Sequence, residues 1–385
     1  MSIDLPFHRA WLDDDEINEV VETLKSGWLT TGPRARRFEE DFQDYIGCCH
    51  AVGLNSCTAG LHLAVNAMGF KEGSEVITTP MTFPATSNVL VHEKLKPVFV
   101  DIEPGTLNLN AEKIEEKITS RTCAILPVHF SGHPCDMDVI DAIARKNNLR
   151  IIEDAAHAVE SVYKGKKIGN LGNPTAFSFY ANKNMTTGEG GMLTTNDEDL
   201  ADRFRVLRLH GLSRDAWKRF GKKGYSHWEL HEPGWKYNMA DINAALGIHQ
   251  LKKIDFFLRK RKEIAKLYDD SFKNIPEIEL LETRDYAENA HYLYVIALHL
   301  EQLTVSRDEL LDAIQGTGIG VGVHYVPLHL HSFYQKITDV SPEDLPVATD
   351  YGHRIISLPL YPKMSTKDVS RVINAVSDLI AKYRR

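Results

Sequence analysis

The sequence predicts an α/β protein with a large unit built on a mostly parallel sheet and a smaller C-terminal α/β unit. Three observations carry this. Between residues 51 and 196 short apolar runs alternate with helix-length segments, the pattern of a sheet wound with helices. A length of 385 residues exceeds one ordinary domain and suits two that share a cleft. With 43% hydrophobic and 25% charged residues the composition is that of a globular protein, so neither disorder nor a fibre is indicated.

Seven strands are expected in the large unit, at 51–55, 75–80, 97–102, 123–130, 150–155, 175–180 and 191–195. Helical spacing fills 58–68, 85–94, 111–118 and 137–148. Only about ten residues join the last two strands, too few for a crossover helix, so the parallel winding should break there. The stretch 210–235 is too rich in Gly, Lys and Trp for a one-sided helix and reads as a long excursion. A long helix follows from Asp241 to about Phe272, then a strand near 291–298, a helix at 307–316, a strand at 320–326 and a final helix at 366–383. The expected division is 1–250 for the large unit and 251–385 for the small one.

A net charge of −8 and a pI near 6.1 disfavour a nucleic-acid partner, which calls for a basic face. The start MSIDLPFHRAWLDDDEINEV has neither a basic opening nor an apolar run. No later segment supplies the ~20 apolar residues that span a bilayer, so a cytoplasmic protein without a membrane partner is expected. The five cysteines are odd in number and lack metal-ligand spacing, and a reducing compartment leaves them as thiols.

The most specific segment is Phe177-Ser178-Phe179-Tyr180-Ala181-Asn182-Lys183, an apolar strand running into a lysine and then the glycine-rich turn Gly188-Glu189-Gly190-Gly191. A lysine there can form a Schiff base with an aldehyde cofactor while Ser178 reaches its phosphate. A solvated lysine leaving an edge strand is equally compatible with this segment alone. Upstream, Ile152-Glu153-Asp154-Ala155-Ala156-His157 puts an acid at a strand's carboxyl end, where open α/β sheets build their sites. Asp154 can pair with a protonated pyridine nitrogen, or cap a helix. Asn55-Ser56-Cys57-Thr58 ends one strand and opens a helix, offering free amides to a phosphate. Neither G-x-x-x-x-G-K-[ST] nor G-x-G-x-x-G is present there, which disfavours a nucleoside triphosphatase or a dinucleotide enzyme. Phe83, in Thr79-Pro80-Met81-Thr82-Phe83-Pro84, can stack on a flat cofactor, although that motif alone suits a core residue better.

Together these segments resemble the DegT/DnrJ/EryC1 sugar aminotransferases over nearly the whole chain, from Ser26-Gly27-Trp28-Leu29-Thr30-Thr31-Gly32-Pro33 onward. The resemblance implies fold type I (aspartate aminotransferase-like), a seven-stranded sheet, and pyridoxal 5'-phosphate as cofactor. It assigns the Schiff base to Lys183, the pyridine nitrogen to Asp154, and the neighbourhood of the phenolic oxygen to His157. Phe83 stacks on the ring, and Cys57, Thr58 and Ser178 hold the phosphate. Asn238 completes that phosphate site from a second subunit, so a homodimer with shared sites is implied. Related dehydratases carry histidine in place of the lysine, and Lys183 therefore points to amino transfer. Stretches 210–219, 234–247 and 153–158 are most similar to the UDP-4-amino-4-deoxy-L-arabinose oxoglutarate aminotransferase group. Phe83, where that group has tryptophan, and the stretch 320–329 look more like the broader UDP- and GDP-sugar C4 enzymes.

The implied reaction moves the amino group of glutamate, through pyridoxamine phosphate, to the keto carbon (C4) of a UDP-linked sugar and releases 2-oxoglutarate. A C3 aminotransferase shares every cofactor residue, and a cofactor-binding regulator without turnover is a further alternative. Substrate contacts are expected from Thr31, Trp217, Arg219, Lys236, His324 and Tyr325, with His329 and His331 in the same cluster. Rings and positive charge between 217 and 235 suit a lid over a base and a diphosphate. No metal site is expected.

Overall fold

The computed structural model describes residues 3–212 and 229–385. The large sheet contains β1 (His50–Leu54), β2 (Glu75–Thr78), β3 (Lys96–Phe99), β4 (Thr122–Leu126), β5 (Arg150–Ile151) and β6 (Glu153–Asp154). After a small hairpin of β7 (Val162–Tyr163) and β8 (Lys166–Lys167) come β9 (Thr175–Ser178) and β10 (Gly191–Thr195). β5 and β6 are one central strand: the amides of Ile152 and Asp154 bond to the β4 side, those of Glu153 and Ala155 to the β9 side. The spatial order is then β3, β2, β4, β5/β6, β9, β10, β1, a seven-stranded sheet. β10 alone runs against its neighbours, where the short connection from β9 forces the chain to return antiparallel.

Two helices precede the sheet, where no element is expected from the apolar pattern. α1 (Asp14–Ser26) starts with a reciprocal cap between Asp13 and Glu16 and ends at Gly27, whose φ of 71° suits glycine. α2 (Pro33–Ile46) has proline at its first position, and its N-terminal amides are satisfied from far away in sequence. The buried Asp241 carboxylate accepts from Gly32 (2.7 Å), Ala35 (2.9 Å) and Arg34 (3.2 Å). α3 (Cys57–Ala67), α4 (Ala85–His92) and α5 (Met137–Lys146) match the expected segments, and α6 (Glu198–Leu207) follows β10 unanticipated. The stretch 111–118 is not an α-helix. It forms two 3₁₀ turns, because its buried Ala111 and Ile114 are three apart, the repeat of that tighter helix.

α7 (Asp241–Phe272) has 32 residues and spans about 48 Å. Its Ala244, Ile248, Leu251 and Ile254 join the core around Phe38, Phe42 and Phe177, and its Ile264, Tyr268 and Phe272 join a second core with Leu298, Val372 and Val376. β11 (Ile278–Leu280), β13 (Tyr294–Leu298) and β14 (Ile355–Leu358) form the antiparallel sheet of that second core, while β12 (Ala287–Glu288) pairs with β7. α8 (Arg307–Gly316) and α11 (Thr366–Tyr383) begin and end where expected, with α9 (Ser332–Ile337) and α10 (Pro346–Arg354) between them. The expected strand at 320–326 is absent. Ile319 and Gly322 make single bridges, to Leu5 and Ser357, and the chain then leaves the sheet edge. Among the described residues no helix is long and apolar enough to cross a membrane.

One buried ion pair ties α7 to the lysine turn. The Arg261 guanidinium donates to the Glu160 carboxylate, which also accepts from Asn184, and all three are buried. Removing one partner strands the other charge. Arg261→Leu should therefore lower stability to urea by about 3–5 kcal/mol, and adding Glu160→Leu should recover part of the loss. A single variant costing under about 1 kcal/mol would show that the pair is not desolvated.

Candidate active site

β1, β2, β6 and β9 point the same way, so their carboxyl ends share one edge of the sheet. Cys57 and Thr58 follow β1, Phe83 follows β2, Asp154 closes β6, and Ser178 closes β9 with Lys183 in the turn beyond. All six line one cavity of about 440 Å³, together with His157 and with Tyr292, His324 and Tyr325 from the C-terminal part.

At one end of the cavity α3 presents its N-terminus. The Ser56 hydroxyl accepts the Ala59 amide at 3.1 Å, leaving the first-turn amides of Cys57 and Thr58 without an intrahelical acceptor. β10 runs close by. A Cβ on Gly191 would stand 2.4 Å from the Ser56 carbonyl carbon and 2.6 Å from the Cys57 nitrogen, so only glycine allows this approach. Ser178 sits opposite Gly191 in the β9–β10 ladder. Free amides, a positive helix end and a hydroxyl make a seat for a phosphate.

Asp154 is only 4% exposed. Its Oδ2 accepts from the Thr86 hydroxyl at 2.8 Å and its Oδ1 from the Ala156 amide at 3.0 Å. Burial pushes this carboxyl above the usual carboxylate range, while the two hydrogen bonds and the Lys183 charge pull it back. The residue caps a turn rather than a helix, and its carboxylate lines the cavity, where it can pair with a cationic ring nitrogen.

The His157 ring has a defined tautomer. Nδ1 accepts from the Ser131 amide at 3.3 Å, so the proton of the neutral ring resides on Nε2, which donates to the Tyr325 hydroxyl oxygen at 3.1 Å. Burial, then the charges of Lys183 and His324, hold the imidazole well below its usual range. Burial foremost, with Tyr292 and Asp154, holds the Tyr325 phenol far above its own. Tyr292, absent from the sequence expectations, stacks on His157 with centroids 4.3 Å apart, and the Lys183 Nζ lies 4.3 Å from its ring centroid. Only the aromatic run His291-Tyr292-Leu293-Tyr294 could have signalled it, and that run reads as strand. The ladder in fact begins at Tyr294.

Phe83 is no core residue. It is 59% exposed at the cavity, its centroid 6.2 Å from that of Tyr325. His324 bonds through Nδ1 to the Ser357 hydroxyl at 3.0 Å and is stacked by Phe7. His329 and His331 do not join the cluster. Beyond Pro327 the chain turns inward, and His329 is buried against the Thr349 hydroxyl while His331 bonds to the Val326 carbonyl. Thr31, Lys236 and Asn238 gather just outside the wall of the cavity. Asn238 bridges to Leu54, donates to the Thr31 hydroxyl at 2.5 Å and accepts from the Lys236 amine. Trp217 and Arg219 lie outside the described residues.

A lysine, a buried carboxylate, a helix N-terminus with a flanking hydroxyl and an aromatic ring, all opening into one cavity, fit the amine, ring-nitrogen, phosphate and ring-face demands of pyridoxal phosphate. Fold and donor set define a pyridoxal-phosphate-dependent enzyme of fold type I. The chain belongs to the DegT/DnrJ/EryC1/StrS aminotransferase family, whose sequence pattern it matches over residues 11–377. It is 48% identical over 377 residues to the spore coat polysaccharide biosynthesis protein SpsC of Bacillus subtilis, covering 98% of this chain and 97% of that one. Among solved structures it resembles Spr1654 from Streptococcus pneumoniae in its PMP form, at 33% identity and a TM-score of 0.92, over 98% of this chain and 100% of the other. Helicobacter pylori PseC, an aminotransferase involved in the biosynthesis of pseudoaminic acid, aligns at 31% identity and a TM-score of 0.92, over 98% and 100%.

Burial also keeps His8, His133, His291, His324 and His329 at about 4. Unfolded imidazoles titrate near 6.5, so below that pH the unfolded chain takes up protons that the folded one refuses, and stability falls as pH drops toward 4. The raised carboxyls of Asp141, Asp154 and Asp269 oppose this as pH falls through their raised folded range, and the lowered ones of Glu19 and Glu75 add to the loss at lower pH. The melting temperature should fall by roughly 5–10 °C between pH 6.5 and 5, read by calorimetry. A flat profile would mean that these rings are charged in the folded protein.

Proposed function

We propose that the protein is a cytoplasmic sugar aminotransferase that takes the amino group of glutamate, releases 2-oxoglutarate, and places the amine on the keto carbon, C4, of a UDP-linked sugar. The observation that carries this reading is the opening of the Lys183 amine and the buried Asp154 carboxylate into one cavity with the α3 N-terminus. Membership of an aminotransferase family, and the names of SpsC and PseC, support a sugar as acceptor. The likeness of 210–219 and 234–247 to the UDP-4-amino-4-deoxy-L-arabinose group supports UDP and C4.

In this reading Cys57, Thr58 and Ser178 hold the cofactor phosphate, Asp154 pairs with the ring nitrogen, Phe83 covers a ring face, and the Nε2–H edge of His157 serves the phenolic oxygen. When bound, the cofactor supplies an electron sink at the carbon that carries the amino group. Lys183 removes and returns the proton at that carbon, as base and then acid. His324 and Tyr325 face the sugar from the far wall. Thr31 and Lys236 meet the nucleotide.

Two copies share each site in this proposal, Asn238 of one subunit reaching the cofactor phosphate of the other. A stripe of exposed Ile17, Val21 and Leu24 on α1, continued by Trp28 and Leu29, runs up to Thr31 and supports a second copy as its cover.

Incubation with glutamate and a panel of nucleotide-linked 4-keto and 3-keto sugars, with products identified by mass and NMR, should give a 4-amino sugar. Lys183→Ala should abolish it, and turnover by that variant at the wild-type rate would end the assignment. Mixing Lys183→Ala with a variant carrying a bulky residue in place of Asn238 should restore activity, since one site in each mixed dimer retains both groups. Mixed dimers that form and stay inactive would refute the shared site.

A further inference from the structure

We propose that Tyr292 is a positioning residue for Lys183, the face of its ring being the seat that holds the amine once it is free of the cofactor and has taken up its proton. The inference rests on Lys183 being the catalytic lysine.

An amino-transfer cycle releases its lysine, and once the free amine has taken up a proton it must hold its place on a side chain with four rotatable bonds. Among the described residues no carboxylate stands within ion-pair distance of the Lys183 Nζ. A ring does: the Nζ lies 4.3 Å from the Tyr292 centroid, inside the ~6 Å over which the negative face of an aromatic ring attracts a cation. The ring is fixed on several sides. Its backbone amide donates to the Ser131 carbonyl at 3.0 Å, its hydroxyl donates to Asn182 Oδ1 at 3.3 Å, and it stacks on His157 with planes 27° apart. Asn182 precedes Lys183 in the chain, so the ring grips the lysine turn and seats the lysine's end. Tyr292 is itself buried, so the ring is held in place against the half-buried Lys183.

A charged amine on the ring can deliver a proton but cannot attack an electrophile. Weakening the ring's face should therefore move two readouts in opposite directions. Position 292 is replaced by Phe and then by phenylalanines bearing one, two and three fluorines, which keep the shape and drain the negative face. The first readout is reductive methylation of Lys183 in holoenzyme held with glutamate, followed on its peptide by mass spectrometry. The second is turnover, with the KM for glutamate as control. Tyr292→Phe should stay within about 2-fold of wild type in both. Across the fluorinated series methylation should rise and turnover fall by about 2- to 20-fold at constant KM. A flat series, or two readouts that fall together, would overturn the proposal. So would a loss already complete in Tyr292→Phe, which would credit the hydroxyl and Asn182 instead. Lys183→Ala, assayed alongside, separates the two levels: if it is inactive and the series is flat, only the role of Tyr292 fails.

Discussion

Four strands that run parallel must release their chains at one edge of the sheet, and that edge is where Cys57, Phe83, Asp154 and Lys183 meet. Residues separated by as much as 126 positions become neighbours because strand direction leaves them nowhere else to go. The single reversed strand, β10, starts from the same edge. It brings Gly191 against the α3 N-terminus, where a side chain would block the amides.

The cavity fixes the forms of its ionisable groups through the partners that each one meets. Burial works against charge on both Asp154 and His157, yet only Asp154 is given hydrogen bonds that favour its anion. His157 instead receives an amide on Nδ1 and a phenol oxygen on Nε2, an arrangement that suits the neutral ring alone. A carboxylate and a neutral imidazole, three residues apart in the chain, are thus assigned by their neighbours and not by pH.

The strands and the residues that gather in the cavity are legible because each signal is local: an apolar run, a strand end, a lysine before glycines. The reversal of β10 followed from loop length alone. What escaped were features settled by distant partners. α2 begins where Asp241 supplies a carboxylate from more than 200 residues away, and Tyr292 lines the cavity because the ladder starts three residues later than its apolar pattern suggests. The cap signals of α1, Asp13 with Glu16 and then Gly27, were present, but its exposed apolar stripe does not report burial in a single chain. His329 and His331 leave the cluster where the chain turns inward beyond Pro327, and nothing in the sequence shows that turn.

The long helix α7 enters both hydrophobic cores without a break. A half of α7 that loses its core keeps only its backbone bonds, which hold an isolated helix of that length poorly, so opening either core also loosens the helix that serves the other. The small unit is therefore no detachable module. Cutting the chain within α7 would expose apolar residues on both sides of the cut, Ile254 and Phe257 on one and Ile264 and Tyr268 on the other.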